Sequence, residues 1–107
     1  MPREKFQTLT EQMFYILLCL REECCGMDIM ERVKSMTQGR VAVGPGTLYH
    51  LLDEFCEVGM IRETACEGRR RSYILTTKGI SALKEEKQRL ESRLQDYHIA
   101  FGEEDAR

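Results

Sequence analysis

No stretch of this 107-residue chain is long and apolar enough to cross a bilayer as a helix. Its longest unbroken apolar run, Met13–Leu20, has eight residues, where a spanning helix needs roughly 18. There is no tryptophan to stack a flat ligand. None of the five cysteines stands in a CxxC pair, so zinc-finger ligation does not fit and no metal site is expected. An odd number of thiols with no secretory h-region ahead of them argues against a disulfide framework. Gly44-Pro45-Gly46 is not followed by Lys-Ser/Thr, which rules out a phosphate-cradling loop. The only histidines, His50 and His98, fall on separate predicted helices, and no Ser or Cys has a matched base. No catalytic residue and no cofactor follow from these patterns, and an enzyme is not expected.

What is present bounds the rest. With 42% apolar residues and eight glycines the composition is that of a globular protein, and this length allows one domain, or one domain plus a dimerisation element. The opening MPREKFQTL lacks a secretory signal, so a cytoplasmic protein with no membrane partner is expected. The net charge of −2 weighs against an electrostatic fit to nucleic acid, but its distribution does not. Between Arg62 and Lys78 five basic residues (Arg62, Arg69, Arg70, Arg71, Lys78) face two acidic ones (Glu63, Glu67), while acid collects elsewhere, as in Glu103-Glu104-Asp105.

Along the chain, Thr8-Leu9-Thr10-Glu11 fits a capping box and predicts the start of a first helix. That helix is apolar on every side from Met13 to Leu20 and so must be buried on more than one face. A second helix begins near Cys25 or Gly26, places Ile29, Met30, Val33 and Met36 on one stripe and stops at Gly39. Arg40–Val43 reads as an extended link. A third helix has Pro45 in its first turn, Gly59 past its end and a buried stripe of Leu48, Leu51, Leu52, Phe55 and Val58. Gly46, His50 and Asp53 point away from that stripe, with Thr47 and Tyr49 on its flanks. Asp53, Glu54 and Glu57 would repel phosphates, which restricts any approach to DNA to the first two turns. Met60–Thr64 and Arg71–Leu75 read as two strands joined by Ala65–Arg70.

A helix–link–helix pattern followed by an arginine-bearing hairpin is a DNA-reading layout. Three segments carry a resemblance: LTEQMFYILLCL, GMDIMERVKSMTQGRVAVGPGTLYHLLDEFCEVGMI and EGRRRSYILTTKG. From about Leu9 to Lys84 the chain resembles the PadR family of winged helix-turn-helix transcriptional regulators, in its short form with a single C-terminal helix. The resemblance implies a mainly α fold with a small β-wing, organised as a DNA-binding domain over residues 1–76, a dimerisation helix over 77–101 and a disordered acidic tail over 102–107. It implies a homodimeric repressor on a palindromic operator, released by a small effector or another signal. Where many members have His-Gly-Tyr at the second helix this chain has Cys25-Gly26-Met27, and no role of that His or Tyr carries over.

The residues expected at DNA are Arg40, Pro45, Gly46, Thr47, Tyr49 and His50, with Arg69, Arg70 and Arg71 in the wing. Each side chain has a plainer reading: Tyr49 packing its ring on the helix flank, His50 as a satisfied hydrogen-bonding residue, the arginines as a solvated hairpin. Arg71 in particular is open to being turned inward toward an acidic partner by strand alternation.

After Thr77, a candidate N-cap, Ile80, Leu83, Lys87, Leu90, Leu94, Tyr97 and Phe101 recur at alternating spacings of three and four, an a/d seam in which Lys87 is the one charged position. Helix 4 is therefore expected to pack on helix 1 and on its counterpart in a second subunit through Phe14, Leu17, Ile80, Leu83, Leu90, Leu94 and Tyr97; the plainer alternative is intrachain packing of helix 4 on helix 1 alone. An apolar effector has room only where subunits meet; Phe14, Tyr15, Tyr97 and Phe101 either line such a space or simply pack the seam. Cys19 and Cys56 read as small core residues. Cys24, Cys25 and Cys66 are expected to be exposed, and they carry the alternative of a redox-sensing or metal-sensing regulator.

Overall fold

The computed structural model describes residues 8–102; the expected acidic tail beyond Gly102 lies outside them. Four helices and three short strands follow in the order α1 (Glu11–Cys19), β1 (Cys24–Cys25), α2 (Gly26–Met36), α3 (Pro45–Glu57), β2 (Ile61–Glu67), β3 (Arg70–Leu75) and α4 (Thr77–Phe101). This is the mainly helical fold with a β-wing and a long terminal helix that the sequence predicts.

The capping box of α1 lies two residues later than expected. The N-cap is Thr10, whose hydroxyl accepts the Met13 N–H, while the Met13 sulfur accepts the Thr10 N–H. Ile16, Leu17, Cys19 and Leu20 are buried, as expected of a helix apolar all round. Leu17 is thus a correction: it is spent in the core of its own protomer and is not available to a partner. Ile29 and Val33 anchor α2, but Met36 is exposed, and the stripe ends instead on the buried Thr37. The Thr37 hydroxyl donates to the Val33 carbonyl at 2.8 Å and accepts the Val41 N–H at 3.1 Å. That hydroxyl joins the end of α2 to the link, where Val41 and Val43 turn inward and Ala42 outward.

Leu48, Leu51, Leu52 and Phe55 bury one side of α3 against this core. Each such side chain contributes about 1.5–3 kcal/mol of gross burial energy. Beyond α3 the wing is a longer and tighter hairpin than the sequence suggests. β2 and β3 pair antiparallel up to Glu67 and Arg70, and the turn between them is only Gly68-Arg69, with Gly68 at φ 61°, a value glycine adopts without strain. A bulge falls between Glu63 and Ala65.

The strand β1 was not anticipated. It adds to the free edge of β3 with Cys24 opposite Tyr73 and Cys25 opposite Ser72, giving the order β1-β3-β2. The pairing corrects the exposure expected of the two cysteines, because both are buried. Burial pushes the Cys19 thiol up to about 11 and also raises Cys24, which leaves both as unreactive thiols at neutral pH. Cys66 alone is exposed, in the wing. Among the described residues no group of three or more His, Cys, Asp or Glu side chains is placed to hold a metal ion, and no helix is long and apolar enough to cross a membrane.

Capped by Thr76 rather than Thr77, α4 runs for 25 residues and packs its first half on α1. A buried carboxylate fastens it there. Glu86 accepts the Leu9 N–H at 3.0 Å and two N–H groups of Arg89 at 2.8 and 3.1 Å. Burial pushes the Glu86 carboxyl up, but the Leu9 N–H and the Arg89 guanidinium outweigh it, so the carboxyl is held below its usual 4.5.

Two outcomes are expected. A carboxyl depressed in the folded state stabilises the fold above its unfolded value and ceases to do so as pH falls through the folded value. Thermal melts should therefore show the protein losing stability on acidification below about pH 4.5, with a shallower loss in Glu86→Gln. Glu86→Ala should cost about 1.5–3 kcal/mol at neutral pH. In native protein a maleimide should label Cys66 first, and Cys19, Cys24 and Cys25 only on unfolding; rapid labelling of Cys24 would contradict their burial.

Candidate nucleic-acid interface

Two requirements meet at the start of α3: a helix must be held by one side and bare at the end that approaches a ligand. The holding is done by the buried stripe. The bareness is a property of Gly44-Pro45-Gly46-Thr47, all exposed. Gly44 is the N-cap and offers no side chain to the first turn, and no acidic residue stands there. Proline at the first helical position has no N–H to satisfy, while the remaining N–H groups of the turn form the positive end of the helix dipole. A Cβ built on Gly44 or on Gly46 would meet nothing within 4 Å. Packing in the protomer therefore does not demand glycine at either position, and the small residues leave the backbone open to close approach from outside.

The side chains that follow are less free than the sequence suggests. Tyr49 is half-buried and packs against the core. A Cβ on Gly26 would stand 2.8 Å from its ring and 3.0 Å from its hydroxyl oxygen, so the ring occupies the space that glycine leaves at the head of α2. The packing reading of Tyr49 describes its ring. His50 is exposed, with Nε2 at 2.5 Å from a Glu54 carboxylate oxygen one turn on. Arg40 is exposed and folds back on its own link, its Nε donating to the Thr37 carbonyl at 3.0 Å.

In the wing the three arginines divide. Arg71 reaches inward and takes both oxygens of Glu63 at 2.8 and 3.1 Å, with Asp53 of α3 at 4.0 Å. Its hydrogen bond to Glu63 raises the guanidinium above its ordinary value and lowers the Glu63 carboxyl. The guanidinium also stands 5.7 Å from the centre of the Tyr73 ring. Tyr73 is fully buried, and burial pushes its phenol up to about 12. Arg71 thus ties the wing to the exposed side of α3, the inward reading that strand alternation left open. Arg70 pairs loosely with Asp28 of α2 at 3.7 Å. Arg69, on the turn, has no ion-pair partner among the described residues.

Three carboxylates, Asp28, Glu54 and Glu63, therefore hold the basic groups of the site, and sequence reasoning did not single them out as their partners. The His50–Glu54 pair was visible as an i, i+4 spacing. The pairing of Asp28 with Arg70 spans most of the domain and had no local signal.

The opposite side of the molecule carries the seam. Phe14 and Leu83 are half-buried where α1 meets α4, and Ile80 (46%), Leu90 (41%), Leu94 (58%), Tyr97 (45%) and Phe101 (65%) remain exposed. Tyr97 and Phe101 pair their rings at 5.0 Å, and Phe14 meets Tyr15 edge-on at 5.5 Å. A hollow of about 390 Å³ opens between Phe14, Tyr15, Glu86, Leu90 and Arg93. It includes two of the four aromatics expected around an effector and neither of the other two.

Comparison with known proteins agrees with this architecture. A transcriptional regulator from Clostridium thermocellum is similar at a TM-score of 0.72 and 22% identity, over 80% of this chain and 88% of that one. A PadR family transcriptional regulator from Eggerthella lenta gives 0.65 and 21%, over 82% and 75%. The transcriptional regulator YqjI of Escherichia coli is 29% identical over 71 residues, which are 66% of this chain but 34% of that protein; the match spans about a third of its length. The model of the transcriptional regulator PadR-like family matches residues 16–85. A bare-ended α3, an arginine-bearing wing and that match over most of the chain lead to one conclusion: the protein belongs to the PadR-like family of transcriptional regulators.

Proposed function

We propose that the protein is a repressor that binds an inverted-repeat operator as a homodimer, laying the first two turns of α3 in the major groove and the wing against the flanking backbone. The observation that carries this reading is the asymmetry of α3. Its N-terminal end is uncapped, acid-free and exposed from Gly44 to Thr47, while Asp53, Glu54 and Glu57 occupy the far half, where phosphates would be repelled. Reading with the N-terminal residues is how recognition helices commonly dock. Thr47 and His50 are the side chains placed to meet base edges, with Pro45 and Gly46 providing the close backbone approach. Tyr49 acts by holding the helix head against Gly26. Arg69 and Arg70 reach phosphates or a narrow minor groove; Arg70 exchanges a loose carboxylate for a phosphate as it does so.

The apolar face of α4 supports the second subunit. Five large apolar side chains along one seam of one helix form the kind of contiguous patch that monomers rarely leave in water. Packed on its twofold mate, the seam would present two α3 helices to successive major grooves, about 34 Å apart or at a multiple of that. The hollow beside Phe14 borders this face and is the place for an apolar effector to act on the dimer.

The alternative of a redox-sensing or metal-sensing regulator loses Cys24 and Cys25 to burial and keeps only Cys66, exposed in the wing.

Selection of bound sequences from random duplex DNA should return an inverted repeat; a single asymmetric site would overturn the reading. In gel shifts, replacing Arg69 and Arg70 with Ala should weaken specific and bulk DNA binding together and reduce the slope of log K against log salt by about 3.6, or about 0.9 for each of the four arginines the homodimer loses. Arg71→Ala should leave that slope nearly unchanged, because its guanidinium is already spent on Glu63. His50→Ala should alter base preference. For the seam, sedimentation of Leu94→Glu at micromolar concentration should show monomer where the parent is a dimer, and a dimeric variant would count against the predicted interface.

A further inference from the structure

The helix that reads DNA and the helix that joins the subunits meet end to end, and the way they meet is unusually complete. Three consecutive carbonyls at the exit of α3 each accept a hydrogen bond from the start of α4. Lys78 Nζ donates to Val58 at 2.8 Å, the Thr76 hydroxyl to Gly59 at 2.5 Å, and the Thr76 N–H to Met60 at 3.0 Å. The Thr76 oxygen also accepts the Gly79 N–H at 3.2 Å, capping α4. Gly79 lies so close that a Cβ there would stand 2.1 Å from the Met60 carbonyl oxygen. Met60 is in turn bound to α3 through its N–H on the Phe55 carbonyl at 2.9 Å.

The three accepting carbonyls lie just past the last residue of α3, outside its own hydrogen-bond ladder, and a cation near them complements the negative end of the helix dipole. Here the cation comes from Lys78 of the next helix, and the hydroxyl and the amide both come from its N-cap, Thr76. Packing of α4 on α1 through Leu83 and Glu86 sets its place from the side. The Thr76–Gly79 turn sets it against α3 itself.

We infer that this turn is the joint that determines which half-site separation the dimer accepts, with Thr76, Lys78 and Gly79 as positioning residues. The inference rests on the proposed homodimer on an inverted repeat. From Lys78 to Leu94, in the middle of the exposed seam, α4 extends 16 residues, or about 24 Å at 1.5 Å per residue. A change of about 10° at the joint, acting over that arm, moves α3 by about 4 Å relative to the twofold axis, close to the rise of about 3.4 Å along the duplex axis per base pair. A stiff joint thus rejects a spacer altered by one base pair, and a loosened one accepts it.

The test uses the full-length chain and a set of duplexes that keep the selected half-sites and vary the spacer by one and two base pairs. The parent should lose about tenfold in affinity on the altered spacers, comparable to one mismatched base pair. Lys78→Met keeps the aliphatic stem and removes the donor from an exposed position. It should flatten that loss to about threefold or less, with the dimer, the half-site base preference and the salt slope unchanged. Gly79→Ala should flatten it further or fail to fold; the lysine variant decides the matter in either case. Equal spacer discrimination in Lys78→Met and the parent overturns the inference. So does uniform weakening with a lower salt slope, which would make Lys78 a phosphate contact. A parent that binds the inverted repeat but tolerates every spacer also overturns it, leaving the proposed function standing, whereas a parent that binds no inverted repeat overturns both.

Discussion

Everything in this molecule depends on α3 being buried along one side and bare at one end. Leu48, Leu51, Leu52 and Phe55 are spaced so that a single face enters the common core, against α2 and β2, and the loss of any one would cost about 2–5 kcal/mol of cavity and transfer energy. That anchoring allows the opposite end to do without capping side chains, acids and large residues. A marginal domain with a net stability of some 5–15 kcal/mol can leave a helix terminus unsatisfied only if its stripe is this well covered.

Much of this was legible beforehand, for identifiable reasons. The apolar spacing of α2, α3 and α4, proline at the head of α3 and the glycines after α2 and α3 are local signals, and they located those helices to within a residue or two. The capping box of α1 was displaced because Thr8 and Thr10 offer the same chemistry two residues apart, and methionine serves at the third position where Glu or Gln is usual. The strand β1 could not be read from Cys24-Cys25, since two residues have no period; only the open edge of β3 makes them a strand. Leu17 was assigned to the wrong surface for a related reason. On a helix apolar all round, sequence does not say which face meets the protomer and which meets a partner.

Charge explains the remaining surprise. The candidate site holds more basic groups than it presents, because Glu63 and Asp53 take Arg71, Asp28 faces Arg70 and Glu54 faces His50. Pairs on a protein surface are weak, typically below about 1 kcal/mol, so the looser ones hold their flexible side chains only lightly in place. The bidentate Arg71–Glu63 pair is of another kind: planar, doubly bonded and beside the Tyr73 ring, it braces the two strands of the wing, with Asp53 of α3 at 4.0 Å from the same guanidinium. A chain with a net charge of −2 can in this way present a locally basic edge.

The kink in β2 has a consequence for the molecule in a crowded solution. With β1 covering one side of β3, the outer rim of β2 is where another chain's strand could add and begin a growing sheet. The residue left over at Thr64 by the Glu63/Ala65 irregularity breaks the even row of donors and acceptors there, and Arg62, Glu63 and Glu67 set ionic groups along it. A hairpin held out in solvent is thereby made a poor template for aggregation.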